Sequence, residues 1–520
     1  MTMKNRSRFV ICVVAALLVL LTGAVSVSSV PALAEETTTR YKIAHVTDMH
    51  IFIENYANIY SRAYIDKAKG TKLLEESQLA SEIAFGELMN MEEPPMYVFI
   101  TGDLTNDGEI ENHEWVGNLL KKVTTEMRKK PGYEGFQIFV IPGNHDLYNK
   151  KAKSFLPPAE EIEACTTYEE LKTLLENYEG ISVVSAKVTD FFRIYSDFGY
   201  CDCEGRKDGN HNASCGMADG CSLEFFYESN FWYGGKGVSR DQLEPVDGET
   251  IPKDVLKAYE DTKNFALIQS YAKLCSLSYI ARIKDMTVLA LNADSRDYDT
   301  DFPDRVKKGK ATTAEIANGG WHETTGAYIS DECLKWAVES LKDDVKNNRG
   351  IFTLGHANFV PHFTMEDEII SLFVYDNWEE ATYTLADAGI RYGFTGHQHA
   401  NDQVDYVTQN GNVFYDFETG SLISYGSAYR TVDYTKTVSG NKVVEDLKTE
   451  IHFLSDSSSA DKYTYHRPEL YNNGGSDFGV KMDTVATVKD RSGNACSIGD
   501  YLVTVSYTHL RAHETSAHLV

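Results

Sequence analysis

Three short, nearly unbroken apolar runs, Tyr41–Thr47 (YKIAHVT), Met96–Thr101 (MYVFIT) and Phe136–Ile141 (FQIFVI), predict strands buried on both faces. Stretches of helical period near Leu73–Met91 and Glu109–Arg128 separate them. Strand, helix, strand, helix, strand in that order predicts a parallel sheet with right-handed crossovers, which gathers ligands at the carboxyl ends of its strands. The pattern returns later: a helix over Asp331–Lys346 with Ser330 as N-cap, then strands at Ile351–Leu354 (IFTL) and Arg391–Thr395 (RYGFT). Alternating segments at Val413–Phe417, Arg430–Thr435 and Lys442–Phe453 predict further strands. The fold class is α/β.

Each predicted core strand runs directly into a polar motif. The first ends in Asp48-Met49-His50, the second in Gly102-Asp103 and the third in Gly143-Asn144-His145-Asp146. The two late strands end in Gly355-His356 and Gly396-His397-Gln398-His399. Carboxylate oxygen and imidazole nitrogen suit hard and borderline divalent ions, and none of the motifs contains a thiol, so Mn, Fe or Zn is expected over a soft-metal site. A lone Asp at a strand end usually caps a helix and a lone His usually packs, but neither accounts for five such ends in one chain. His45, His113, His322 and His362 lie outside the motifs and are expected to be structural or rim residues.

Charge narrows the partners. The formal net charge is -27, which leaves no expected nucleic-acid-binding surface and disfavours anionic membranes. An acidic chain that receives an anionic ligand needs local positive charge, which bound dications supply.

The N-terminal segment reads as an export signal over residues 1–34: Lys4, Arg6 and Arg8, an apolar run from Phe9 to Ala24, and Ala32-Leu33-Ala34 as the cleavage site. A secreted or extracytoplasmic protein without a stable membrane span after cleavage is therefore expected. Residues 35–454 read as the catalytic domain, with a Cys-, Gly- and Tyr-rich excursion at 201–273 that forms part of the pocket rim. Cys201, Cys203, Cys215 and Cys221 within it are expected to form disulfides. Residues 455–504 are irregular. Residues 505–520, beginning VSYTHLRAHET, read as a translated sequencing adapter, so His509, His513 and His518 carry no functional weight.

Taken in chain order, Asp48-x-His50, Gly102-Asp103, Gly143-Asn144-His145-Asp146, Gly355-His356 and Gly396-His397-x-His399 resemble the calcineurin-like metallophosphoesterase family. The resemblance covers roughly Tyr41–Tyr434 and implies a four-layer α-β-β-α sandwich. It implies Asp48, His50 and His399 on one divalent ion, Asn144, His356 and His397 on a second, and Asp103 bridging them. His145 would act at the leaving group of a phosphate-ester substrate, with Asp146 as its orienting partner or a cap, while a shared, acidified water acts as the nucleophile. Gly102-Asp103-Leu104-Thr105-Asn106-Asp107-Gly108 lacks the Arg of protein serine/threonine phosphatases and has Asn106 where purple acid phosphatases carry Tyr. The pattern is similar to the broad bacterial branch that includes cyclic-nucleotide phosphodiesterases. The alternative of another class is a catalytically idle binding module on the same fold.

Overall fold

The computed structural model describes residues 36–53, 72–150 except 75, 185–201, 216–228, 243–245 and 250–262, then 271–454 except 312–314, 317, 425–426 and 441, with short pieces at 152–174, at 267 and beyond 464. The segment expected to be an export signal, Cys203, Cys215 and the tail expected to be adapter-derived lie outside them. Two compact units are distinguished. The small one contains residues 36–40 and 435–446, where Thr38 Oγ1 stands 3.3 Å from Thr437 Oγ1. The candidate site described below lies in the large one.

The strands are β1 (Glu36–Val46), β2 (Tyr97–Thr101), β3 (Gln137–Ile141), β4 (Ser222–Glu228), β5 (Leu243–Pro245), β6 (Ala272–Ile283), β7 (Met286–Ala290), β8 (Asp294–Tyr298), β9 (Trp321–Ala327), β10 (Gly350–Leu354), β11 (Tyr392–Thr395), β12 (Asp402–Val407), β13 (Val413–Glu418), β14 (Ala428–Ser439) and β15 (Lys442–Phe453). One sheet has the order β15-β14-β1-β2-β3, and the other runs β12-β13-β11-β10-β7-β6-β4 with β5 beside β6. As the apolar runs predict, β1, β2 and β3 are parallel, with Val46 opposite Ile100 and Ile100 opposite Val140. The second sheet has a parallel centre, β7-β10-β11-β13, flanked by antiparallel β12 and β6.

The sheets face each other across an aromatic core. Phe99 of β2 lies 5.9 Å from the ring of Phe352 and 5.4 Å from that of Phe394. Helices Ser77–Asn90 and Ile110–Arg128 accompany the first sheet, and Asp331–Lys346 and Trp378–Asp387 the second, which gives four layers. Ser330 caps Asp331–Lys346 as expected, accepting from the Cys333 N–H at 3.2 Å.

The excursion departs from expectation. Its strand β4 pairs with β6 as part of the main sheet, and residues 253–262 are helical, so its described portion is built into the domain rather than looped off it. Cys201 is disulfide-bonded, whereas Cys221 is a buried thiol, so the four cysteines are not all joined in disulfides. Strand β12 also goes unpredicted, since its residues alternate only weakly and mostly face solvent at a sheet edge. Among the described residues no helix is long and apolar enough to cross a membrane.

Candidate metal centre

The parallel pairing of β1 and β2 continues past the strand ends and sets the first ligands. Asp48 N–H donates to the Gly102 carbonyl at 3.1 Å and His50 N–H to the Asp103 carbonyl at 2.8 Å. The chain here bends through the left-handed region at five ligand candidates: Asp48 (φ 51°), His50 (φ 42°), Asp103 (φ 47°), His397 (φ 69°) and His399 (φ 62°). Such conformations are costly for non-glycine residues and persist where surrounding structure enforces them for function. The glycines of the motifs are expected to carry the unusual angles, but only Gly102 does, at φ 96°. Gly143, Gly355 and Gly396 are required for space instead: a Cβ at Gly143 would collide with Asp103, one at Gly355 with Tyr375, and one at Gly396 with Thr47 and Asp48.

Two groups of side chains meet there, Asp48 with His50, Asp103 and His399, and Asp103 with His356 and His397. Asp103 belongs to both. Its Oδ2 lies 3.5 Å from His50 Nε2 and its Oδ1 3.3 Å from His356 Nε2. Asn144 joins the second group, its Oδ1 3.1 Å from His356 Nε2. All seven residues expected to hold metal are thus brought together.

The hydrogen bonds show what the cluster lacks. His356 Nδ1 donates to the Thr101 carbonyl at 2.7 Å, which directs Nε2 toward the oxygens of Asp103 and Asn144. His397 Nε2 similarly donates to the Leu372 carbonyl at 3.1 Å, leaving its lone pair on Nδ1. Asp48 Oδ2 accepts from Thr47 Oγ1 and the His397 N–H, at 2.7 and 2.9 Å, while its buried Oδ1 has no hydrogen-bond partner and lies 3.2 Å from His399 Nε2. Lone pairs converging with no proton between them fit divalent cations, held by neutral imidazoles oriented through their second nitrogen. His50 is the exception. Its Nδ1 lies 3.0 Å from Lys72 Nζ, so an ammonium donating there leaves the ring proton on Nε2, which a cation must displace.

Protonation follows from the same contacts. Burial alone would raise Asp48 and Asp103, but the facing imidazoles, His399 and His50 for Asp48 and His356, His145 and His50 for Asp103, hold both carboxyls well below the usual range. Burial, with Lys72 next, pushes His50 down to about 3, and burial with His356 pushes His397 down to about 4.

His145 and Asp146 sit at the same loop. His145 Nδ1 donates to the Asn106 carbonyl and its Nε2 stands 4.0 Å from Asp103 Oδ2. Burial and then Lys72 hold this ring well below its ordinary range. The fully buried Asp146 accepts from the backbone N–H groups of Leu104, Thr105 and Gly143 at 3.1, 2.9 and 2.8 Å, which ties the second and third strand tips together. His45, between Thr101 and Thr419 hydroxyls, and His113, between Tyr195 and the Asp146 carbonyl, are structural as expected.

Sequence reasoning missed Lys72 and Ser424, whose hydroxyl lies 2.8 Å from His399 Nδ1. Neither belongs to a motif or a predicted strand tip. Ser421 likewise supports the site, donating to the Asp48 carbonyl at 2.7 Å.

Fold and cluster together define an α/β sandwich with a candidate two-metal centre where its strands end. A family model for calcineurin-like phosphoesterases matches residues 41–261. That span holds Asp48, His50, Asp103, Asn144, His145 and Asp146; the fold adds His356, His397 and His399 from beyond it. No curated protein matches the chain. Similar solved structures include a dimetal phosphatase from Danio rerio, 10% identical, covering 78% of this chain and 98% of that one at a TM-score of 0.34. GAP50, the anchor in the inner membrane complex of Plasmodium, is 9% identical over 80% and 88% at 0.27, and phosphopantetheinyl hydrolase from Mycobacterium tuberculosis 10% over 73% and 89% at 0.22. Likenesses this distant carry no functional assignment.

Proposed function

We propose that this protein hydrolyses phosphate esters with two divalent metal ions, and that it does so outside the cytoplasm. The observation that carries the reading is the Asp103 carboxylate, with one oxygen 3.5 Å from His50 Nε2 and the other 3.3 Å from His356 Nε2, positioned to serve both halves of the cluster. Asp48, His50 and His399 would hold one ion, Asn144, His356 and His397 the other. When bound, such a pair supplies Lewis-acid stabilisation of the phosphate oxygens and acidifies water.

The chain's own residues do the rest. Thr101 and Leu372 carbonyls fix two imidazoles so that their lone pairs point inward. The Asn106 carbonyl takes the Nδ1 proton of His145, so Nε2 is the atom through which this ring would meet the leaving-group oxygen. Asp146 positions the Asp103 and Asn144 loops through three backbone bonds rather than touching the ester. The export signal at residues 1–34 supports action outside the cytoplasm.

The test is turnover of para-nitrophenyl phosphate and bis-para-nitrophenyl phosphate with added Mn, Fe or Zn, with and without chelator. Metal-dependent turnover that chelation abolishes is expected, and its ratio between the two substrates assigns the mono- or diester class. No turnover of either ester under any metal, in protein that binds two ions, would make the domain a binding module.

A further inference from the structure

The segment that follows β10 keeps a run of apolar side chains in solvent. Phe363, Met365, Ile369 and Leu372 are all exposed, Ile369 to 65% and the other three to nearly half, four large apolar side chains within ten residues. Elsewhere among the described residues the exposed large apolar side chains come at most two to such a stretch, the scatter that any soluble surface carries. Concentrated exposure marks a surface built to be covered.

This segment is firmly held. Its two limbs are joined where the Asn358 N–H donates to the Phe373 carbonyl at 2.8 Å and the Tyr375 N–H to the Asn358 carbonyl at 3.1 Å. Asp416 fixes the outgoing limb, accepting from the Phe359 and Val360 N–H groups and the Thr395 hydroxyl at 2.6, 3.1 and 2.9 Å. The His362 ring comes next, set among three carboxylates: Nδ1 lies 3.4 Å from Asp402 Oδ2 and 3.6 Å from Glu418 Oε2, and Nε2 3.6 Å from Asp416 Oδ2. Burial pulls this imidazole down, but Asp416, Glu418 and Asp402 lift it to about 9, while burial foremost lifts Glu418 to about 8, so an imidazolium pins the base of the segment at neutral pH. Further along, the buried Glu366 carboxylate accepts from the His362 and Phe363 N–H groups at 2.5 and 3.4 Å, and the Trp378 indole N–H donates to Asp367 at 3.1 Å. A segment tied at so many points presents its apolar side chains to a ligand at little cost in conformational entropy.

The far limb runs into the candidate metal centre. The Leu372 carbonyl accepts from His397 Nε2 at 3.1 Å, and the partly buried Phe373 ring lies 4.9 Å from the His397 ring, inclined at 54°. A phosphate ester bound at His397 therefore has Phe373 and Leu372 beside it, with Ile369, Met365 and Phe363 in the segment that leads to them. Resting on the phosphate-ester reading above, we propose that this segment receives the apolar part of the substrate, so that the ester is an amphiphile, a phosphate carrying a long alkyl, acyl or prenyl chain. Asp367 and Glu368 lie in the same segment and select this covering over two others: against an anionic bilayer, or against a second copy of the segment, their carboxylates would meet like charge.

The experiment measures binding of methyl-, butyl- and octylphosphonate, whose carbon–phosphorus bond resists hydrolysis, to the Mn-loaded full chain by titration calorimetry below micelle-forming concentrations. Turnover of the para-nitrophenyl esters is recorded beside it. Each methylene taken fully out of water is worth about fourfold in affinity, so a half-covered chain is expected to bind about a hundredfold more tightly as octyl- than as methylphosphonate. Ile369→Ser and Phe363→Ser are each expected to lower that octyl-to-methyl ratio by about threefold or more. The ratio is read within one protein sample, so a partly unfolded variant still reports it. Equal affinities for the three phosphonates, no binding of octylphosphonate, or a ratio that survives both substitutions would overturn the proposal. So would sedimentation of a wild-type dimer that Ile369→Ser abolishes, since a second copy would then cover the segment. Turnover without dependence on chain length refutes the amphiphile and leaves the phosphoesterase reading standing; chain-length-dependent binding without turnover does the reverse.

Discussion

The two-metal cluster and the His362 cluster use the same side-chain types in opposite proportions. In the first, four candidate ligand imidazoles and His145 surround Asp48 and Asp103, and their pull keeps both carboxyls well below the usual range despite complete burial. In the second, one imidazole faces three carboxylates, and the excess negative charge lifts His362 to about 9. A buried anion must be paired, protonated or metal-bound. The first cluster therefore keeps ionised oxygens among ring nitrogens, a donor set suited to cations. The second meets its negative charge with a protonated imidazole and a raised carboxyl instead.

The largest effect that could break this contrast is at the shared carboxylate. Asp103→Asn is expected to lower metal-dependent turnover by several orders of magnitude and to strip metal from both halves of the two-metal centre. Full occupancy of that centre with a wild-type rate would remove Asp103 from its bridging role.

The clusters also differ in how much of each can be read from the sequence. Asp48, His50, Asp103, Asn144, His356, His397 and His399 stand in contiguous motifs, each after a buried strand, and the parallel order of β1, β2 and β3 brings the first four of them together. The His362 cluster assembles from alternate residues of β13, an edge strand whose pattern is weak, and a loop histidine that looks like many others. Cross-strand register, Asp402 opposite Glu418, is the information that the linear chain does not carry. Lys72 was hidden for a related reason: it reaches His50 from a segment without a regular pattern.

A smaller effect separates metal binding from chemistry within the first cluster. The His145 side chain meets the centre edge-on at the His50 ring, centroids 4.9 Å apart, and with Nε2 4.0 Å from Asp103 Oδ2, while its remaining nitrogen is hydrogen-bonded to the Asn106 carbonyl; His145→Ala is therefore expected to keep both ions while slowing turnover about 10²–10⁴-fold, the range of a lost proton-transfer group. Metal content measured beside kcat distinguishes this from a ligand; loss of an ion would place His145 in the coordination shell. Smaller still is Lys72. With Lys72→Met, KM for an anionic ester is expected to rise about fivefold, near the ~1 kcal/mol ceiling of a solvent-open ion pair, with kcat unchanged. A fall in kcat without a change in KM would instead mean that Lys72 acts by orienting His50.

Glu82 provides the control for both clusters, a buried carboxylate without imidazoles around it. It lies on the helix Ser77–Asn90, 7% exposed, with Oε2 lacking a hydrogen-bond partner. Burial raises its carboxyl to about 8, and Lys122 only partly opposes that. The folded pKa therefore lies above the unfolded one, so the proton-bound form stabilises the fold at low pH and that contribution is lost as pH rises from about 4.5 through 8. Gln does not titrate. Glu82→Gln is thus expected to match wild type at acid pH and to exceed it at pH 9, by on the order of a few kcal/mol in urea unfolding, with turnover unchanged. A difference independent of pH would mean that Glu82 keeps its charge through a partner, as Asp48 and Asp103 do, and that burial alone does not decide protonation in this domain.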